Sequence, residues 1–186
     1  MKPDWPLETE RLVLRPFEDG DLDAMYAIQS DAESARWLYN EARTLDETKA
    51  LLVKKIAGDA FRAEGDWLAA AVVARETGQL LGDVSMQWVS EQHRSGEIGF
   101  IFGRAHQGHG YATEAARAFL AFAFERMGFH RVIGRTEARN TASARVLEKL
   151  GMRREAHLVE NEWVKSEWQS ELVYAMMEHE WRLSLQ

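Results

Sequence analysis

Short β-compatible apolar runs alternate along this chain with stretches in which apolar residues recur at helical spacing. Leu12, Val13 and Leu14 predict a first strand that Arg15-Pro16 ends or places at a sheet edge, because proline brings no N–H to a ladder. Leu22, Met25, Tyr26 and Ile28 follow on a short helix. Thr44-Leu45-Asp46-Glu47 reads as a capping box, opening a second helix through Leu51, Leu52 and Ile56 to about Phe61. Trp67 to Ala74 and Leu80 to Val89, separated by Glu76-Thr77-Gly78-Gln79, form a hairpin, and Glu97 to Phe102 is a further strand. Beyond Gly103, Gly108 and Gly110, an uninterrupted helix is expected from about Tyr111 to Met127, with Ala112, Ala115, Ala116, Phe119, Ala123 and Met127 on one broad face. Arg131 to Thr136 should lie parallel to the strand before that helix, as a βαβ unit requires. A helix from Asn140 or Thr141 to Leu150 stops at Gly151, and Met152 to Val164 and Trp168 to Met177 read as two long strands around Lys165-Ser166-Glu167.

The order of these elements predicts one α/β domain with a mixed sheet, and no linker or repeat divides residues 1–186. Without cysteine there is no disulfide framework, thiolate metal site or cysteine nucleophile, which suits a reducing cytoplasm. No leader-like segment or membrane span is expected, because no run of eighteen apolar residues occurs. A net charge of -7 argues against a nucleic-acid partner, whose phosphates need clustered Lys and Arg, and suits a cationic substrate.

The chemistry concentrates between Phe102 and Tyr111. A helix start carries unpartnered N–H groups and partial positive charge, and Gly108 and Gly110 remove the side chains that would keep an anion away. Three phosphate-binding patterns compete. A Walker A run is missing, and Gly108-x-Gly110-x-x-Thr113 lacks the third glycine of the dinucleotide fingerprint. The pattern Gln/Arg-x-x-Gly-x-Gly/Ala is met at every fixed position by Gln107-Gly108-His109-Gly110-Tyr111-Ala112.

With that pattern the chain resembles the GNAT superfamily of N-acetyltransferases, and more narrowly its RimJ/RimL-like branch. The resemblance extends to Thr9-Glu10-Arg11-Leu12-Val13-Leu14-Arg15-Pro16, Ser95-Gly96-Glu97-Ile98-Gly99-Phe100, Gly108 to Ala115, and Asn140 to Gly151, in the family's order over a core of about 7–181. It implies a twisted mixed sheet of about seven strands, splayed between the fourth and fifth, with about four flanking helices. It also implies acetyl-CoA as co-substrate, its pyrophosphate on Gln107, Gly108, His109, Gly110, Tyr111, Ala112 and Thr113. The pantetheine arm would pair with the strand edge at Phe100, Ile101 and Phe102 and face Asn140 and Ser143; Asn140 also suits a plain helix cap.

Attack on a thioester needs a neutral amine. A lysine-like amine is neutral in about one molecule in 2,500 at pH 7, a penalty of roughly 4–5 kcal/mol, so a general base is expected. The resemblance points to Glu97 for that role. It would place a tyrosine acid seven positions after Asn140, but Leu147 stands there, which leaves Ser143 as the nearest hydroxyl for the departing thiolate. Trp37 is the tryptophan placed nearest the implied acceptor wall. His106 and His109 have metal-like spacing, yet a loop offers them no fixed face and no third ligand, and no metal is expected.

The acceptor stays open among a protein N-terminus, a small amine or amino acid, and an aminated antibiotic or toxin. Glu33, Asp46, Glu160, Glu162 and Glu167 are acids that would favour a cation. A homodimer through the two C-terminal strands stays open, as does a non-catalytic acyl-CoA sensor, the reading that Leu147 favours.

Overall fold

The structure, a computed structural model, describes residues 1–186. Its strands are β1 (Leu7–Glu8), β2 (Leu12–Arg15), β3 (Trp67–Ala74), β4 (Leu80–Ser90), β5 (Ser95–Phe102), β6 (Arg131–Glu137), β7 (Arg153–Val164) and β8 (Glu167–Met177). The helices are α1 (Leu22–Gln29), α2 (Ala32–Ala35), α3 (Leu45–Ala57), α4 (Tyr111–Ala121), α5 (Thr141–Lys149) and α6 (Glu178–Leu183). The strands form one sheet in the order β1-β2-β3-β4-β5-β6-β8-β7. Every neighbouring pair is antiparallel except β5 and β6, which α4 joins by the crossover that parallel strands need.

Eight strands replace the expected seven because Leu7–Glu8 pairs with Val13 and Leu14, a ladder too short for alternation to reveal. Six helices replace the expected four, the added ones being α2 and α6, of four and six residues. The Thr44–Glu47 capping box forms as expected, but α3 ends at Ala57 and not near Phe61. A Cβ on Gly58 would lie 2.9 Å from the Trp67 carbonyl, so the chain turns there against β3 and sends Phe61 separately into the core. The helix expected to run to Met127 widens into a π turn over Phe122–Arg126. Phe122, Ala123 and Phe124 are all buried, three consecutive positions that one α-helical stripe does not face inward together.

Register sorts the central strands into two faces. Val84, Met86, Ile98, Val132 and Tyr174 pack against Ala115, Ala116 and Phe119 of α4 and Ala144 and Leu147 of α5. On the other face, α1 and α3 cover Ala69, Ala71 and Val73 through Met25 and Leu52. Their cover stops short of β5, β6 and β8, where Glu97, Arg135 and Glu171 occupy the same face.

The parallel pair then parts. Its register runs only from Ser95–Glu97 against Arg131–Ile133; past that point Ile98 to Phe102 have no partner on the β6 side, and β6 continues on β8 alone. This is the splay expected between the fourth and fifth strands, numbered β5 and β6 because β1 adds one. At the parting, α5 presses onto β6: a Cβ on Gly134 would lie 2.6 Å from Leu147 Cδ2, so only glycine lets the helix sit this close.

Candidate active site

The loop from β5 to α4 begins with a tight turn over Arg104–His106 and ends at Gly110, whose φ of 82° and ψ of 1° are left-handed. Gly108 has a φ of 80°. The Gln107 side chain donates to the Phe102 carbonyl at 3.0 Å, tying the loop to the strand end. From Gly108 to Thr113, six consecutive amides have no acceptor in the protein; the first helical bond is donated by Glu114 to Gly110. Such a run at the start of an eleven-residue helix is an anion-binding arrangement.

An acid in the first turn would oppose an anion, but Glu114 is neutralised. Its carboxylate accepts from Thr9 Oγ1 at 2.6 Å, the Arg11 amide at 2.9 Å and Arg11 Nε at 2.7 Å. Burial raises its pKa, but these partners outweigh burial and hold it below the usual carboxylate range. The same guanidinium donates to the His109 carbonyl at 3.0 Å and lies 4.8 Å over the Tyr111 ring. Arg11 is 103 residues from Glu114 in the chain, and nothing local in the sequence announces this clamp.

The loop opens onto a cleft of about 830 Å³ that follows the gap between β5 and β6. Glu97, Phe100, Ile101, Phe102, Gln107, Gly108, Gly110, Tyr111, Ala112, Thr113, Asn140, Ser143 and Trp37 all line it. The His109 side chain does not: its ring stacks on Tyr111 with centroids 5.7 Å apart, and Nδ1 lies 2.8 Å from the Gln107 carbonyl. Asn140 caps α5, its Oδ1 accepting from the Ser143 amide at 3.1 Å. The Ser143 side chain is half-buried at the cleft wall. Leu147 is buried under Gly134 in the core, so the cleft has no side-chain acid at that position. No group of three or more His, Cys, Asp or Glu side chains is arranged to hold a metal ion.

Where β5 and β6 part, the cleft floor is charged. Glu97 Oε2 lies 3.2 Å from Arg135 Nε, and burial raises the Glu97 pKa above its ordinary value while Arg135 pulls it partly back. Glu171 of β8 is 4.0 Å from Arg135 Nη1, and burial raises its pKa too. The only signal for Glu171 in the sequence is a carboxylate at the start of the apolar run Leu172 to Met177. Of the other acids, Glu33 and Glu162 line the cleft, while Asp46, Glu160 and Glu167 lie outside it. Tyr39, largely exposed, lines the cleft as well.

A second charged pair, unseen in the sequence, fastens α3 to the sheet beside the cleft. Lys55 of α3 reaches Asp83 of β4 at 2.8 Å with both side chains almost fully buried, and the ammonium lies 5.0 Å from the Phe17 and Trp67 ring centroids. Removing one partner leaves a buried charge unpaired, so Lys55→Met should lower unfolding free energy by about 3–5 kcal/mol. Lys55→Met combined with Asp83→Leu should recover most of that loss. Urea melts of the two variants check this; a single variant as stable as the parent would show that the pair does not hold α3 to the sheet.

Known proteins agree with this architecture. Residues 11–153 match the acetyltransferase (GNAT) domain model. A Bacillus subtilis protein named uncharacterised N-acetyltransferase YnaD is 33% identical over 175 residues, covering 94% of this chain and 98% of that protein. The spermidine N(1)-acetyltransferase of Vibrio cholerae is 26% identical over 160 residues, covering 86% of this chain and 88% of its own. The crystal structure of a GNAT-family acetyltransferase from Bacillus anthracis superposes with a TM-score of 0.84 at 30% identity, covering 94% of this chain and 99% of that one. With a splayed sheet, a glycine loop opening α4 and a family match over most of its length, the chain belongs to the acetyltransferase (GNAT) domain family and is an acetyl-transferring enzyme.

Proposed function

We propose that this enzyme moves the acetyl group of acetyl-CoA to a primary amine by direct attack in a ternary complex, as one domain with a core of about 7–181 working in the cytoplasm. The observation that carries this reading is the run of unpartnered amides from Gly108 to Thr113, opening on the same cleft as the unpaired edge of β5. Those amides suit a pyrophosphate, and the N–H and C=O groups of Ile98 to Phe102 suit the amides of a pantetheine arm. Gln107 and Asn140 act here by shaping the loop and capping α5. No helix is long and apolar enough to cross a membrane.

Glu97 takes a proton from the incoming ammonium, directly or through water. The neutral nitrogen then bonds to the thioester carbonyl carbon, main-chain amides near Phe100 and Ile101 steady the oxyanion, and the C–S bond breaks. The attacking nitrogen, cationic once bonded, loses its second proton as the amide forms; a proton reaches the departing thiolate through Ser143 or a water it orients, and Glu97 returns the first proton to solvent. Since a hydroxyl is a poor acid, Ser143→Ala should lower kcat only about tenfold, against the larger losses of a true general acid. Single-turnover rates check this, and a rate equal to the parent's removes Ser143 from the step.

The acceptor belongs to the amines named by the RimJ/RimL-like resemblance or by the spermidine acetyltransferase relative: a protein N-terminus or a small amine. Thiol release with acetyl-CoA over amines and peptides, with a mass gain of one acetyl group on the acceptor, tests the reading. Tight acetyl-CoA binding without CoA release over the whole panel would leave the chain a sensor and overturn it.

A further inference from the structure

Glu171 is the anomaly of the cleft. Its side chain is only 6% exposed, yet no hydrogen bond reaches it, and its nearest cationic atom, Arg135 Nη1, stands 4.0 Å away. The same guanidinium turns Nε toward Glu97 at 3.2 Å. Buried carboxylates are ordinarily hydrogen-bonded, because an unpaired one forfeits its hydration without replacement. The other acids of this face are provided for: Asp83 by Lys55 at 2.8 Å and Glu137 by Arg139 at 2.7 Å. Glu171 lines the cleft, so a ligand there can supply what the protein does not.

The charges acting on Glu171 are Arg135, Glu162 and Glu97. Burial raises its pKa most, Glu162 and Glu97 raise it further, and Arg135 alone opposes them. Arg135 faces Glu97 and Glu171 while Glu162 acts on Glu171, so among these groups three carboxylates outnumber one guanidinium by two formal negative charges. An acceptor bringing one ammonium to Glu97 offsets one of them. An acceptor with a second cation offsets both, whereas one with a carboxylate adds to the excess. The geometry separates the two places: Glu97 stands on β5 at the parting of the sheet, and Glu171 stands on β8, across Arg135 of β6.

On this basis, and resting on the acetyltransfer reading above, we propose that Glu171, with Glu162 beside it, is a specificity-determining subsite for a second positive charge on the acceptor. The preferred acceptor is then a small linear diamine or polyamine, with its reacting nitrogen at Glu97 and its distal ammonium at Glu171. Arg135 keeps the two carboxylates apart and is displaced from neither.

The test is CoA release from acetyl-CoA with matched four-carbon acceptors, 1,4-diaminobutane, butylamine and 4-aminobutyrate, together with a short peptide bearing a free N-terminus. In the parent enzyme kcat/KM for 1,4-diaminobutane should exceed that for butylamine by about tenfold or more, with 4-aminobutyrate last. In Glu171→Gln the diamine-to-monoamine ratio should collapse to within about twofold, mainly through KM for the diamine. Glu171→Asp, which keeps the charge on a shorter arm, should retain part of the preference. Should both variants fail to fold, calorimetric binding to the parent–CoA complex replaces them, with 1,4-diaminobutane expected about tenfold tighter than butylamine. Equal parent values for diamine and monoamine, or an unchanged ratio in Glu171→Gln, would overturn the subsite. Turnover of the peptide with refusal of the diamine would do so while leaving the acetyltransfer reading intact; no CoA release from any acceptor would sink both.

Discussion

Gly110→Asp should lower acetyl-CoA affinity at least about hundredfold while the protein stays folded. Gly110 sits at a φ of 82°, where a non-glycine residue costs roughly 1–2 kcal/mol, a loss that a domain with about 5–15 kcal/mol of stability tolerates. Space is no obstacle: the nearest atom to an added Cβ is Arg11 Nη2 at 3.5 Å, an ordinary contact. The larger effect is electrostatic. A carboxylate about 4 Å from a phosphate charge costs roughly 4 kcal/mol at an effective dielectric constant near 20, several times the backbone strain. Gly110→Ala is the matched control, since it carries the strain without the charge and should weaken binding far less. Calorimetric titration with CoA, beside thermal melts of the same samples, separates the two contributions. Undiminished affinity in the Asp variant would show that the pyrophosphate does not sit on this loop.

Glu97→Gln should lower turnover by about 10²–10⁴, the usual worth of a general base, with acetyl-CoA affinity little changed. The pH dependence identifies the cause. Burial raises the Glu97 pKa and Arg135 only partly restores it, so the acid limb of kcat/KM should fall above the ordinary carboxylate range. In the Gln variant that limb should be absent; a parent-like profile there would take Glu97 out of the mechanism. The same shift has a stability consequence of definite sign. Because the folded pKa is raised, the folded chain binds this proton more readily than the unfolded chain. The stabilisation this gives is complete below the unfolded value of about 4.3 and is lost as pH rises through the folded one. At neutral pH the parent therefore carries the burden of a partly desolvated charge. Glu97→Gln should melt no lower than the parent there, so lost activity cannot be put down to unfolding.

Glu97 and Glu171 form a pair in this respect, one half-buried and one buried beside the same guanidinium and both raised in pKa. Polar groups left short of partners inside a stable fold are commonly kept for a ligand, which on the function proposed above is a cationic acceptor. Lys55 and Asp83, on the same sheet face, illustrate the contrary case: a pair already complete, which holds a wall in place and has no charge to spare.

What was legible in the chain was whatever is encoded over short spans. Alternation over Leu80 to Val89 marks a strand because side-chain direction repeats every two residues, and Gly108-His109-Gly110 marks bare amides because glycine alone accepts both left-handed positions without crowding them. The capping residues Thr44 and Asn140 are readable for the same reason, since each bonds an amide three residues on. The two-residue β1, the π turn at Phe122–Arg126 and the ending of α3 at Ala57 were not, because each is settled by what packs against it.

Local patterning was enough for the mixed α/β class, the crossover that makes β5 and β6 parallel, and the glycine loop that leaves amides bare before α4. Three-dimensional packing alone brings Arg11 to Glu114 across 103 residues and Lys55 to Asp83, and leaves Glu171 with no hydrogen bond and Arg135 at 4.0 Å. The physical reason is one of range. Backbone geometry and glycine are local properties, whereas the state of a charge depends on which distant groups the sheet register and the helix packing bring within a few ångströms of it.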